Sequence, residues 1–338
     1  MGTAVKPRAI GPFLVPPIGL GCMNLSHAYG APPPAADAER LLLAALDEGI
    51  TLFDTAALYG LGANETLVGR VLKAHRSRIV LCSKGGMAGV SFPDGVKRVI
   101  DGRPEAIRRN CEDSLARLQT EVIDLYYLHR WDKAVPIEDS VGELSRLVAE
   151  GKVRHIGLSE VSAATLMKAH AVHPIAALQT EYSPWTRNPE IAVLRACREI
   201  GAAFVAFSPV ARGVLTDTLP DPDAFDAKDI RRTMPRFTPD HWAANQALRE
   251  GFAALAREAG ITLAQLSLAW VLSRGEHVIA IPGTTNVAHL SENQATLGLA
   301  IDAALFDRVS ALMAPERVSG NRYAAQGQTE VDTETFAV

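Results

Sequence analysis

A single (β/α)8 (TIM) barrel is the fold class this chain predicts, and three observations predict it. Eight short apolar runs recur along 338 residues at intervals of a few tens of residues. Segments of helical periodicity separate them, several closing on glycine, as βαβ units do. The runs are nearly continuous in apolar character rather than alternating, as expected for strands of a parallel sheet covered on both faces. An open doubly wound sheet is the alternative, and no Pro/Gly/Ser-rich linker divides the chain into two domains.

In order, the strand candidates are residues 18–23 (IGLGCM), 50–55 (ITLFDT), 79–84 (IVLCSK) and 123–129 (IDLYYLH). Residues 153–159 (VRHIGLS), 175–181 (IAALQTE), 202–209 (AAFVAFSP) and 278–284 (VIAIPGT) complete the set. Helical periodicity begins near Asp37, Arg103 and Pro136, and Gly49, Gly151, Gly201 and Gly260 stand where helices end. After the seventh strand comes a long proline- and charge-rich interval, residues 210–240, of the kind that is functional or mobile. An extra C-terminal helix (AALFDRVSALM) precedes a polar tail from about Pro315, all within one domain of residues 1–338.

Composition narrows the function. Apolar residues make up 48% of the chain, enough for a large core, and the formal charge of −4 comes with dispersed Lys and Arg. A nucleic-acid footprint needs clustered cations, so a small molecule is the expected partner. No run is long enough to span a bilayer, and the N-terminus lacks a signal-peptide pattern. Cys22, Cys82, Cys111 and Cys197 form no CxxC pair, which points away from zinc and disulfides and towards a reducing cytoplasm. No metal is expected.

Active sites of such barrels lie at the C-terminal ends of the strands. There the second run ends at Asp54, the third at Lys84 and the fourth at His129, with Tyr59 five residues beyond Asp54. A free phenol titrates near ~10, and an adjacent ammonium lowers that value. Lys84 is the expected ammonium, Asp54 the carboxylate that keeps it charged, and His129 a hydrogen-bond or proton-relay partner. A lone strand-end Asp is often only a helix cap and a lone His only a packing residue. The joint placement of four such groups favours proton chemistry.

The stretches GLGCMNLS, FDTAALYGLGANETLVGRVL, LCSKGG, DLYYLHRWD, LVAEGKVRHIGLS, LQTEYSP, FSPVARGVL and IPGTTNVAHLSEN resemble, in order, the motifs of the aldo-keto reductase superfamily. The likeness runs from about Ile18 to Asn293 and is greatest to the bacterial and plant pyridoxal reductase-like branch. It implies reversible, nicotinamide-dependent carbonyl reduction, with Asp54, Tyr59, Lys84 and His129 as the catalytic tetrad. It also implies a cofactor site without a Rossmann fingerprint or P-loop, neither of which the chain contains. By that correspondence Gly21, Met23 and Asp54 border the cofactor, Ser159, Glu160 and Gln179 hold the carboxamide, and Phe207 stacks on the ring. Ser208, Pro209, Val210 and Gly213 run beside the pyrophosphate, and Gly283, Thr284, Thr285, His289, Glu292 and Asn293 face the adenosine.

NADP(H) is the expected cofactor and NAD(H) the alternative, because His289 and Thr285 stand where many relatives place Arg or Lys. Arg231, Arg232 and Arg236 of the long interval are the candidate substitutes. Tyr29, Trp131 and Trp185 are candidate walls for a carbonyl or alcohol substrate, in a monomer or homo-oligomer. The competing reading is a nicotinamide-binding sensor of the channel β-subunit type with little turnover. Hydrolysis is disfavoured: there is no HExxH, GLSEV departs from the nucleophile elbow, and His170 and His173 lack a third ligand.

Overall fold

The computed structural model describes residues 6–26, 28–93 and 95–336. Its central sheet has eight parallel strands: β3 (Leu20–Gly21), β4 (Leu52–Asp54), β5 (Val80–Gly85), β8 (Ile123–Leu128), β9 (Val153–Ser159), β10 (Ile175–Glu181), β11 (Ala203–Phe207) and β12 (Val278–Ile281). Each falls within one of the eight apolar runs, apart from Gly85, which adds one residue to the third. The ring closes between first and last strands through a parallel bridge of Ile18 to Ala280, where the Gly19 amide donates to the Ala280 carbonyl at 2.9 Å. The predicted barrel is the observed one.

Two antiparallel hairpins lie outside this ring and were not predicted. Strands β1 (Arg8–Ile10) and β2 (Phe13–Val15) turn through Gly11 and Pro12, with Gly11 in the left-handed region at φ 54°. Strands β6 (Met87–Phe92) and β7 (Gly95–Ile100) follow β5.

Helices α1 (Ala35–Asp47), α2 (Ala63–Leu72), α3 (Pro104–Leu118), α4 (Ile137–Ala149), α5 (Ala163–Val172) and α6 (Val193–Glu199) cross between strands. Gly49, Gly151, Gly201 and Gly260 all have positive φ, so the glycines expected at helix ends do terminate them. The interval after β11 is built of four short 3-10 turns and leads to α7 (Pro239–Glu258) and α8 (Leu263–Leu272). Then come α9 (Val287–Ala295), α10 (Ala303–Leu312) and, in the polar tail, α11 (Ala325–Thr329). Far from trailing loosely, that tail buries Arg322, Val331 and Thr333.

Strand alternation explains how an apolar barrel presents polar groups at its mouth. Side chains two apart share a face, so Leu52 and Asp54 form one inward column, and Val80, Cys82 and Lys84 another. Leu125, Tyr127 and His129 continue the pattern, as do Ala177 with Gln179 and Ala203, Val205 with Phe207. The lower members of these columns make one interior apolar cluster, together with Ile279 and Ile281. Gly157 leaves room for the Tyr127 ring, whose nearest carbon would lie 2.3 Å from any Cβ at that position. Ile10 and Val15 of the first hairpin are fully buried against this cluster, plugging the barrel from below. The intervening residues, such as Phe53, Leu81, Tyr126 and Leu158, face outward into the layer beneath the helices.

Candidate active site

Above that apolar floor opens a cavity of about 920 Å³. Asp54, Tyr59 and His129 line it, and Lys84 lies fully buried just behind them. The Lys84 ammonium donates to Asp54 Oδ1, to the Thr55 carbonyl at 2.9 Å and to the Tyr59 hydroxyl at 3.2 Å. Its Nζ stands 4.8 Å from the Tyr59 ring centroid. Asp54 Oδ2 accepts from the Gln179 amide at 2.8 Å, so this carboxylate caps no helix. The Tyr59 and His129 rings meet edge to face with centroids 5.8 Å apart.

Tyr59 is held by a short, sharply turned segment. Gly60, Leu61 and Gly62 all have positive φ, between 54° and 96°, and Tyr59 begins the 3-10 turn that contains them. Buried Asn64 pins this turn to the barrel: it accepts from Thr55 Oγ1 at 2.6 Å and donates to the Cys22 carbonyl at 2.8 Å and Ser26 Oγ at 2.9 Å. Sequence reasoning did not single out Asn64. A polar residue one position into a helix carries no mark of the two strand ends it ties.

The electrostatics differ in one respect from expectation. Burial raises the Tyr59 phenol above its ordinary value; the Lys84 ammonium pulls the other way without reversing the shift. Burial opposes the charged form of Lys84 too, but the adjacent Asp54 carboxylate outweighs it and the ammonium is stabilised. A lysine whose ammonium form Asp54 favours thus sits under a phenol whose protonated form burial favours.

Of the residues expected to border a cofactor, Gly21, Met23, Asp54, Ser159, Gln179 and Phe207 line the cavity. So do Ser208, Pro209, Val210, Gly213, Gly283, Thr284, Thr285, His289, Glu292 and Asn293. Glu160 does not. Its backbone turns out of the barrel at φ 56°, and its carboxylate is buried away from the mouth. It accepts from the Glu181 amide at 2.9 Å, Arg322 at 2.6 Å and Thr333 Oγ1 at 2.7 Å, leaving it no role towards a carboxamide.

The substrate candidates divide as well. Tyr29 lines the cavity, with the Arg231 guanidinium 4.8 Å over its ring. Trp131 packs on the outer core and donates its indole N–H to the Val135 carbonyl at 2.9 Å, and Trp185 is buried against Phe237. Neither tryptophan is part of the cavity lining. Residues not anticipated there include Asn24, Met87, Arg98, Arg130, Arg212, Tyr323 and Glu330.

The arginines offered as phosphate partners are already engaged. Arg231 pairs with Asp229 at 2.6 Å, and Arg232 donates to the Phe225 carbonyl at 2.8 Å. Arg236 donates to the Trp185 carbonyl at 2.7 Å and to Thr186 Oγ1 at 2.8 Å.

Two features suit an anionic, ring-bearing cofactor. Between Ser208 and Gly213, four residues adopt positive φ: Ser208 at 49°, Ala211 at 52°, Arg212 at 55° and Gly213 at 92°. Three of these are not glycine, a costly backbone of a type concentrated at ligand sites, where successive amides can form an anion nest. Opposite, α9 begins at the cavity with Asn286 as its cap, accepting from the Ala288 amide at 2.8 Å. Gly283 eases the close approach of the two chains there, since a Cβ would stand 3.0 Å from the Gly21 carbonyl oxygen.

A barrel with a buried Lys–Asp pair beneath a tyrosine at its mouth, beside a cofactor-sized cavity, defines a class of oxidoreductase. The chain belongs to the aldo/keto reductase family, whose model matches residues 17–314. Probable aldo-keto reductase 1 of Glycine max is 41% identical over 327 residues, covering 94% of this chain and 92% of the relative. Among solved structures, the glycerol dehydrogenase of Gluconobacter oxydans superposes with a TM-score of 0.84 at 29% identity, covering 96% of this chain and 99% of that one. An aldo/keto reductase of Klebsiella pneumoniae, solved with NADP and acetate, gives 0.70 at 28% identity, over 95% of this chain and 99% of that one.

Proposed function

We propose that this protein reduces aldehyde and ketone carbonyls to alcohols, reversibly, with NADPH as the hydride source. The observation that carries the reading is the Lys84 ammonium held between Asp54 and the Tyr59 hydroxyl at the base of the cavity. Support for the cofactor comes from the positive-φ loop, the α9 terminus and the exposed edge of Phe207, together with the NADP complex of the Klebsiella relative. The cavity volume of about 920 Å³ lies towards the upper end for small-molecule sites.

Held against Ser159, Gln179 and Phe207, a reduced nicotinamide would supply hydride to the carbonyl carbon. Tyr59 donates its proton to the carbonyl oxygen as negative charge develops on it. Lys84 stabilises the resulting phenolate, and Asp54 keeps Lys84 charged while Gln179 fixes the second carboxylate oxygen. His129, edge-on to Tyr59, bounds the space in which the carbonyl oxygen sits. In the reverse direction the phenolate takes the alcohol proton. With Arg231, Arg232 and Arg236 engaged elsewhere, His289, in the first turn of α9 and in the cavity lining, is the residue to which this reading assigns the preference for NADPH over NADH.

The test is NADPH oxidation with a panel of aldehydes that includes pyridoxal, run in parallel with NADH. Wild type should turn over members of the panel, and Tyr59→Phe should lose about 10²–10⁴ in kcat, the usual contribution of a positioned acid. Equal rates in the two proteins would refute the mechanism. Tight NADPH binding without turnover on any carbonyl would favour a sensor instead.

A further inference from the structure

Four arginines line the cavity, and three are neutralised in place. Arg98 pairs with Glu330, Arg212 with Glu181 and Arg231 with Asp229, each at 2.6 Å. Arg130 has no carboxylate within ion-pair distance among the described residues. Its Nη1 donates to two neutral acceptors, the His129 carbonyl at 2.8 Å and Ser159 Oγ at 3.3 Å.

Those bonds fix the guanidinium at the mouth without quenching its charge. The field of that charge reaches Tyr59, where it favours the phenolate, and Glu160. Glu160 is no partner for it, being committed to Arg322, Thr333 and the Glu181 amide. A half-buried guanidinium at the cavity with no ion-pair partner among the described residues suits recognition of an anion, because Arg pairs with carboxylate and phosphate in a planar, bidentate manner.

We propose that Arg130 binds an anionic substituent of the substrate, so that the preferred substrates are carbonyl compounds carrying a carboxylate or phosphate a few bonds from the carbonyl. The proposal rests on the carbonyl-reductase reading given above. The bonds of Arg130 to the His129 carbonyl and to Ser159 Oγ set its guanidinium between the ends of β8 and β9, and the anion with it, close to the carbonyl rather than at the end of a long tail. The substrate's charge then completes the pattern that Glu330, Glu181 and Asp229 set for the other three arginines.

The test compares matched pairs: benzaldehyde with the carboxybenzaldehydes, and glyceraldehyde with its phosphate ester. The two pairs separate carboxylate from phosphate preference. The readout is the ratio of kcat/KM, anionic over neutral, in wild type, Arg130→Met and Arg130→Lys. Wild type should favour the anionic member of at least one pair by about tenfold or more. Arg130→Met should lower that ratio by about tenfold to a hundredfold, mainly through KM, the worth of one charge-assisted contact. Arg130→Lys should keep part of the preference.

A wild-type ratio near one, or a ratio unchanged in Arg130→Met, overturns the proposal. So does a parallel loss on both members with a raised KM for NADPH, which would assign Arg130 to the cofactor. If no carbonyl is reduced at all, the reductase reading fails separately. Calorimetric titration of NADP+-saturated protein with benzoate then decides the arginine's role: binding lost in Arg130→Met supports it, and absent or unaltered binding refutes it.

Discussion

Tyr59 is governed by two opposed effects, and their balance sets a pH dependence. Burial holds the phenol protonated and outweighs the Lys84 ammonium, so the folded-state value lies above the ordinary ~10. In the proposed mechanism reduction uses the protonated form, which persists through neutrality and is lost only as pH rises through that raised value. The rate of reduction should therefore stay level to about pH 10 on this group's account, while alcohol oxidation, which needs the phenolate, climbs over the same alkaline range. Profiles of kcat/KM in both directions would check this, and Lys84→Met should move the alkaline limb higher still. The meeting of these four groups was legible because each of Asp54, Lys84 and His129 ends an apolar run and Tyr59 sits a fixed step beyond one of them. Glu160 was misplaced because its partner, Arg322, lies 162 residues away and leaves no local trace. Trp131 and Trp185 were misjudged for a related reason: nearness in sequence to a strand end does not say which way a side chain turns once the chain has left the sheet.

At the level of elements, the barrel strands were legible and the hairpins were not. A largely apolar run of six to eight residues announces a buried strand, whereas β1 and β2 have three residues each, of which only the last is buried. The second hairpin did carry a turn signature, the Pro-Asp-Gly of residues 93–95, whose two flanking runs make β6 and β7. That hairpin matters because Arg98 on β7 meets Glu330, just past α11, in a two-fold hydrogen-bonded pair, both bonds at 2.6 Å. Both residues line the cavity, so the pair fastens two separate elements to each other at its edge. Being 44% exposed on the arginine side, the pair should add less than about 1 kcal/mol to stability. Glu330→Gln is accordingly expected to leave the thermal midpoint nearly unchanged and to speed NADP+ release several-fold, which stopped-flow fluorescence would register. Raised salt should mimic the variant in wild type.

Across the whole molecule, the C-terminal tail is bound to the barrel by buried charge. Glu160 and Glu181 from the ends of β9 and β10 meet Arg322 from the tail and Arg212 from the loop after β11. Both carboxyls are held below the usual carboxylate range, Glu181 at about 2; in each case burial acts against the shift, and the neighbouring guanidinium, Arg322 for Glu160 and Arg212 for Glu181, prevails. Removing one partner strands a buried charge, so Arg322→Met should cost about 3–5 kcal/mol, read from urea unfolding at neutral pH.

The plug formed by Ile10 and Val15 has its own consequence for traffic. With the lower end of the barrel filled by an apolar layer, the Lys84–Asp54 pair faces the cavity at the mouth, where Asp54 and Tyr59 line its wall. A cofactor and substrate seated in that mouth would close the approach behind them. Under the mechanism proposed above, the proton that Tyr59 gives up would be restored after the doorway clears, which makes departure of product, and not only the bond-making step, a condition for the next cycle.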